Sequence, residues 1–299
     1  LGILRFLLIQ AVQAGMKIHV AAGTYNEALN INKSVSIIGA GEADVTIDFG
    51  GLGGYNNSGI YVSADDVSLE GFTAVGDPST SLPRYGIKYG TFSGGAITDV
   101  IVKDLYRSGI DLLGSSNMTI TDVELLNNGG HGMQILDCSD ITVDSITTSG
   151  SGWQSVSVAT WGRYSPLGVD DIVFTGTNSF GNVFQIEEGD YNNPGVAPSG
   201  DAVITYSTDI ADGADVTVQS SEFTYALHGE QDDSPDQNRV WFFASKADAE
   251  LAAAAAPVGH LTGNGMYIQS LTDLSQLYVN TDCSIEGAAD SAAAGDTIN

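Results

Sequence analysis

A repeat of constant length limits how this chain can fold more than any other feature. Glycine-led runs recur as GIKY from Gly86, GIDL from Gly109 and GMQI from Gly132, and the interval between the first two equals that between the last two. NMTITDV from Asn117 and DITVDSI from Asp140 keep the same step. GIYV from Gly59 with DVSLEGF from Asp66, and DVIVKDL from Asp99, complete the early copies. Later copies loosen: SVSV from Ser155 precedes DIVFTGT from Asp171, and a long insertion separates VFQI at 183 from DVTVQSS at 215.

Within each run the residues alternate with period two, so Ile110 and Leu112 face one way with Met133 and Ile135, while Asp111 and Gln134 face the other. In the second run the alignment places Val102, Ile120 and Val143 in one inward column and Val100, Met118 and Ile141 in another. A unit this short cannot enclose a core alone and must stack on its neighbours, in coils spaced by about 4.8 Å. Two-residue hairpin turns are scarce, which argues against an antiparallel sandwich. The expected class is an all-β, single-stranded parallel β-helix over 17–222.

Residues 18–41, IHVAAGTYNEALNINKSVSIIGAG, carry a family resemblance. Ile18, Val20, Gly23, Tyr25 and Glu27, followed by Ile31, Lys33, Ile37 and Gly39, resemble the opening coil of the pectin lyase and pectin methylesterase-like superfamily of right-handed parallel β-helices. The resemblance implies the fold and its right-handedness. It implies no activity, because this opening is shared by esterases, lyases, epimerases and proteins without enzymatic function. The groups those enzymes need have no convincing counterpart here: no paired Asp with Arg on adjacent coils, no carboxylate cluster with a basic partner, and DPST at 77–80 in place of a DPHD motif.

Ile3, Leu4, Leu7, Leu8 and Val12 share one helical face, so 1–16 is expected to form a helix capping the open first coil. Over 223–282 the repeat is lost; RVWFFA at 239–244 reads as a strand, and SKADAELAAAAAP as a helix opened by a Ser245/Asp248 capping pair, giving a small α/β or irregular module. Residues 283–299 resemble the chain's own opening, with Gly295 aligned to Gly15 and Ile298 to Ile18, and are expected to begin a following tandem copy.

Charge narrows function. Against 37 Asp and Glu stand 10 Lys and Arg, a formal net charge of -27. Such a chain repels nucleic-acid phosphates and anionic lipid, so no nucleic-acid partner is expected. No apolar run approaches the ~18 residues of a membrane span, so no membrane insertion is expected either. An acidic, lysine-poor surface suits an extracellular, marine or halophilic setting where salt screens self-repulsion. Cys138 and Cys283 fit no metal or redox spacing.

Four of the ten cations, Arg84, Lys88, Lys103 and Arg107, fall on two adjacent coils, with His131 one coil later. Superposing the repeats puts Lys88, Asp111 and Gln134 in one outward row, with Tyr85, Ser108 and His131 just before the shared glycine. Cation, carboxylate, amide and aromatic groups in one strip suit a polysaccharide or cell-surface glycan. Were the strip catalytic, Arg107 or Lys88 would be the base and Asp111 the acid; the simpler alternative is a Lys88–Asp111 pair across rungs. The loop HGEQDDSPDQN at 228–238 offers Glu230, Asp232, Asp233 and Asp236 as oxygen ligands for calcium; otherwise no cofactor is required. The expected function is that of a non-catalytic extracellular module of a larger repetitive protein, acting in adhesion or polysaccharide binding. The alternative is a polysaccharide lyase or epimerase acting on an acidic glycan.

Overall fold

The computed structural model describes residues 12–153, 155–160, 163–165, 168–180, 184–188, 204–205, 216–218, 224–231, 234–254, 267–273, 275–279 and 297–299. The expected capping helix lies outside them over residues 1–11, although Val12 packs against the main core. Cys283 and most of the expected following copy are likewise outside.

The chain winds into a parallel β-helix. Long strands Val67–Gly76, Gly95–Lys103, Ser116–Leu126 and Ser139–Ser149 stack in one sheet. Short strands Ser58–Val62, Tyr85–Tyr89, Ile110–Leu113, Met133–Leu136 and Val156–Thr160 stack in the other. One apolar ladder runs Ile18, Ile37, Leu69, Ile97, Ile120, Val143, Phe174, each residue paired in parallel register with the next. Every member is at most 4% exposed. Tyr89 brings a hydroxyl into this interior and satisfies it by donating to the Val67 carbonyl at 3.0 Å.

The corners explain the residue types at the repeat boundaries. Backbone in the left-handed region recurs at Gly71, Asp99, Asp122, Ser145 and Gly176, again at Asp66, Gly94, Asn117, Asp140 and Asp171, and at Asp104, Asn127 and Gly150. Asn, Asp and Gly tolerate positive φ better than other residues. Each long strand is therefore two faces joined at such a bend. Gly39 is required for another reason: a Cβ there would lie 2.0 Å from the Gly71 carbonyl oxygen of the next coil.

Both inward columns of the second run differ from the sequence alignment in their first member. Ile120 is flanked by Ile97 and Val143, whereas Val102 pairs with Leu125 and Val100 with Val123. Each coil carries two runs led by an acidic or amide residue, and Asp99 is the counterpart of Asp122, not of Asn117.

The parallel stack of short strands ends at Phe184–Glu188, where Ser234–Phe243 pairs antiparallel and continues as a hairpin with Tyr225–Gln231. Covering a sheet edge in this way removes a template for aggregation. Ala226 and Phe242 extend the main core, and Leu227 and Ile268 pack with Ala249 and Ala253 of the helix Lys246–Ala254. That helix opens as its sequence indicates: the Asp248 N–H donates to Ser245 Oγ at 3.2 Å. Thr297–Ile298 pairs in parallel with Gln276–Tyr278. No helix among the described residues is long and apolar enough to cross a membrane.

Candidate functional site

The outer face of the short-strand sheet is where the sequence candidates meet. Parallel register aligns Tyr61, Lys88, Asp111, Gln134 and Ser157 in one row, each coil contributing one residue. The row is not the open, solvated strip its alternation implies: Lys88 is 7% exposed, Asp111 1% and Gln134 7%. Lys88 Nζ meets Asp111 Oδ2 at 2.8 Å and lies 4.0 Å from the centre of the Tyr85 ring. Burial pushes the Asp111 carboxyl above the usual carboxylate range, and the Lys88 and Arg107 charges oppose that rise without cancelling it.

A second column stands at the corner preceding the short strands. The Arg107 N–H donates to the Arg84 carbonyl, Gly130 N–H to that of Arg107, and Trp153 N–H to that of Gly130. Arg84, Arg107, Gly130 and Trp153 thus follow one another at the same step as the glycine-led runs, a signal that could have identified Trp153 from sequence. Gly130 matters through what it omits. A Cβ there would lie 2.9 Å from Arg107 Cγ, so the missing side chain leaves room for the arginine stem. The half-buried guanidinium sits 4.9 Å from the Trp153 ring centre and 5.8 Å from that of Tyr85. His131 meets Trp153 edge-on at 5.1 Å, and Trp153 itself is 48% exposed.

Residues 163–164 pack at the C-terminal end of the short strands. Their N–H groups donate to Asp137 Oδ2 at 2.7 and 2.8 Å, and Tyr164 packs over Leu113, Leu136 and Ala159. Arg84 is exposed one rung before Arg107. Lys103 lies apart from this row, in the long-strand sheet beside Val75 and Leu126. That other sheet has an acidic flank, where Asp99, Glu124 and Asp122 add to burial in raising the Glu42 carboxyl.

Glu230 and Asp236 lie in the strands of the terminal hairpin, and Asp232 and Asp233 lie outside the described residues. Among the described residues no three His, Cys, Asp or Glu side chains gather to hold a metal. Cys138 is buried as a free thiol, and burial pushes its pKa up to about 12, so it is inert at neutral pH.

Solved structures of similar fold include an open-reading-frame product of Geobacillus virus E2, with 14% identity and a TM-score of 0.43 over 58% of this chain and 44% of that one. The A-module of an Azotobacter vinelandii mannuronan C-5 epimerase follows at 15% and 0.39, covering 55% and 57%. A pectin methylesterase from Erwinia chrysanthemi stands at 12% and 0.39, covering 70% and 85%. The chain therefore spans about half the length of the first two. No curated protein matches it. The family model for the right-handed β-helix region matches residues 37–223, more than half of the chain and the span that holds most of the stacked ladder. The chain belongs to the right-handed β-helix family.

Proposed function

We propose that this chain is an extracellular β-helix module of a larger repetitive protein that binds an acidic polysaccharide without cleaving it. The observation that carries the reading is the Arg107 guanidinium packed beside both Tyr85 and Trp153, with Trp153 half exposed. A guanidinium held against rings keeps its planar donor edge and has already lost rotamer freedom, so it pairs with a sugar carboxylate at reduced entropic cost. The open indole face offers an apolar surface for a sugar ring. The rung spacing of about 4.8 Å is close to the advance of an extended glycan per residue. Lys88 and Asp111 face each other in a buried ion pair, an arrangement suited to bracing a site rather than turning over substrate.

The acidic, lysine-poor composition supports an extracellular setting, and the likeness of 283–299 to the opening supports tandem copies in the parent protein. A lyase or epimerase is the second reading, favoured by the Asp111 carboxyl, which burial raises against the opposing Lys88 and Arg107 charges and which lies beside Lys88 at 2.8 Å. Incubation with pectate, alginate and sulfated glycans, with and without calcium, separates the two. Binding with unchanged chain length and composition is expected. Unsaturated sugar ends or altered uronate composition would establish the enzyme.

A further inference from the structure

We propose that successive copies of this module join through one unbroken β-ladder, in which Thr297–Ile298 is both the last strand of one copy's terminal sheet and the first strand of the next copy's coil. The proposal rests on the tandem reading above and names the surface through which the copies meet. Thr297–Ile298 pairs in parallel with Gln276–Tyr278. The Thr297 N–H donates to the Ser275 carbonyl at 2.8 Å, the Asn299 N–H to that of Leu277 at 2.7 Å, and the Val279 N–H to that of Asn299 at 2.9 Å. Among the described residues this strand lies at the edge of its sheet, so its other side is open. Ile298 stands beside Leu277, which is 1% exposed, yet Ile298 itself is 40% exposed. An apolar residue on an open strand edge is a template for a further strand.

The opening of the chain identifies that strand. With Gly295 aligned to Gly15, Thr297, Ile298 and Asn299 stand opposite Lys17, Ile18 and His19. Ile18 heads the inward ladder and is 4% exposed, with Ile37 of the next strand beside it in register. Backbone hydrogen bonding agrees. Alternate residues of a parallel strand bond to opposite neighbours. The Ser36 N–H donates to the Met16 carbonyl, so Ile18, two residues on, bonds toward Ser36–Gly39, while Lys17 and His19 bond away from it. In the terminal strand Thr297 and Asn299, the counterparts of Lys17 and His19, bond back toward Gln276–Tyr278, which leaves Ile298 to bond forward. The open edge therefore has the alternation that a strand equivalent to Ser36–Gly39 requires, and that strand would bury Ile298 as its counterpart buries Ile18. The partner is a second copy of this chain. Copies joined in this way form a stiff rod with modules at fixed spacing.

The test compares the full chain with a two-copy protein in which residues 20–299 follow Asn299 directly, so that residues 297–299 stand in place of residues 17–19. Small-angle scattering should show the two copies as one rigid rod. Thermal unfolding should show them melting together above the single chain's midpoint, because each interface between repeats adds stability. Ile298→Asp should leave the melting of the single chain nearly unchanged, since the side chain is exposed there. In the two-copy protein it should abolish the shared transition by placing a carboxylate in the joined ladder. Two copies that fold yet tumble independently at the single chain's midpoint, or an Ile298→Asp effect equal in both proteins, would overturn the joint while leaving the tandem reading intact. So would a second copy that folds only when it keeps its own residues 1–19. An unrelated sequence beyond Asn299 in the parent protein would overturn the tandem reading itself.

Discussion

The ladder through Ile120 makes a quantitative demand on stability. Ile120 is fully buried, with Ile97 on one neighbouring coil and Val143 on the other. Truncation of a buried isoleucine to alanine costs about 2–5 kcal/mol, combining lost transfer free energy with the cavity left behind. Ile97→Ala and Ile120→Ala open cavities on adjacent rungs about 4.8 Å apart, so the two voids merge and their costs do not add. A double-mutant cycle by chemical denaturation should give an interaction energy of about 0.5 kcal/mol or more for Ile97 with Ile120. Ile37 stands three rungs from Ile120 in the same ladder, roughly 14 Å away, and its cycle with Ile120 should be additive within about 0.5 kcal/mol. Additivity for the adjacent pair, or equal coupling for the distant one, would refute the register and the stacking argument with it.

Three further outcomes follow from named contacts. Gly130→Ala places a methyl 2.9 Å from Arg107 Cγ and 3.0 Å from the Arg107 backbone carbonyl carbon, so it should both lower the melting temperature and displace the guanidinium from Trp153, weakening polyuronate binding by about 1 kcal/mol; unchanged affinity would remove Gly130 from the account. Burial lowers the His228 pKa from 6.5 to about 4, with a Gln269 hydrogen bond opposing, so the unfolded state binds more protons as pH falls through that window. Stability should then decline from about pH 6.5 to 4, by at most about 3 kcal/mol, and His228→Gln should flatten that slope in pH-dependent denaturation. For the acidic 228–238 segment, calcium at a hundredfold excess over its dissociation constant should stabilise the fold by about 2.7 kcal/mol. Asp232→Asn with Asp233→Asn should abolish that gain, and an identical response in the double variant would place the effect elsewhere.

The coil was legible because its physics is periodic. Glycine-led runs at a constant step put Lys88, Asp111 and Gln134 in one row, and the parallel pairing places them there. Both columns of the second run slipped at Val100 and Val102 because Asp99 and Asn117 are chemically alike while only Asp122 shares the bend of Asp99. Exposure of the row was also misjudged. Alternation tells which side of a strand a residue takes, not what then folds over it, and here Lys88 is held between Asp111 and the Tyr85 ring. Trp153 itself was readable one repeat step beyond Gly130. Lys103 joined the candidates through nearness in sequence to Arg107, although the Asp104 corner turns the chain between them onto another face.

The central claim, that Arg107 stacked on Trp153 receives an acidic glycan, is tested most directly by titrating a polyuronate oligomer into the unaltered chain and into Arg107→Ala at two ionic strengths. Loss of a charge-assisted, bidentate contact should weaken binding about ten- to a hundredfold at low salt. The gap should narrow as salt screens the local cations that draw an anion to a protein of net charge -27. Equal affinities for the two proteins, or binding by the unaltered chain that is indifferent to salt, would contradict the account.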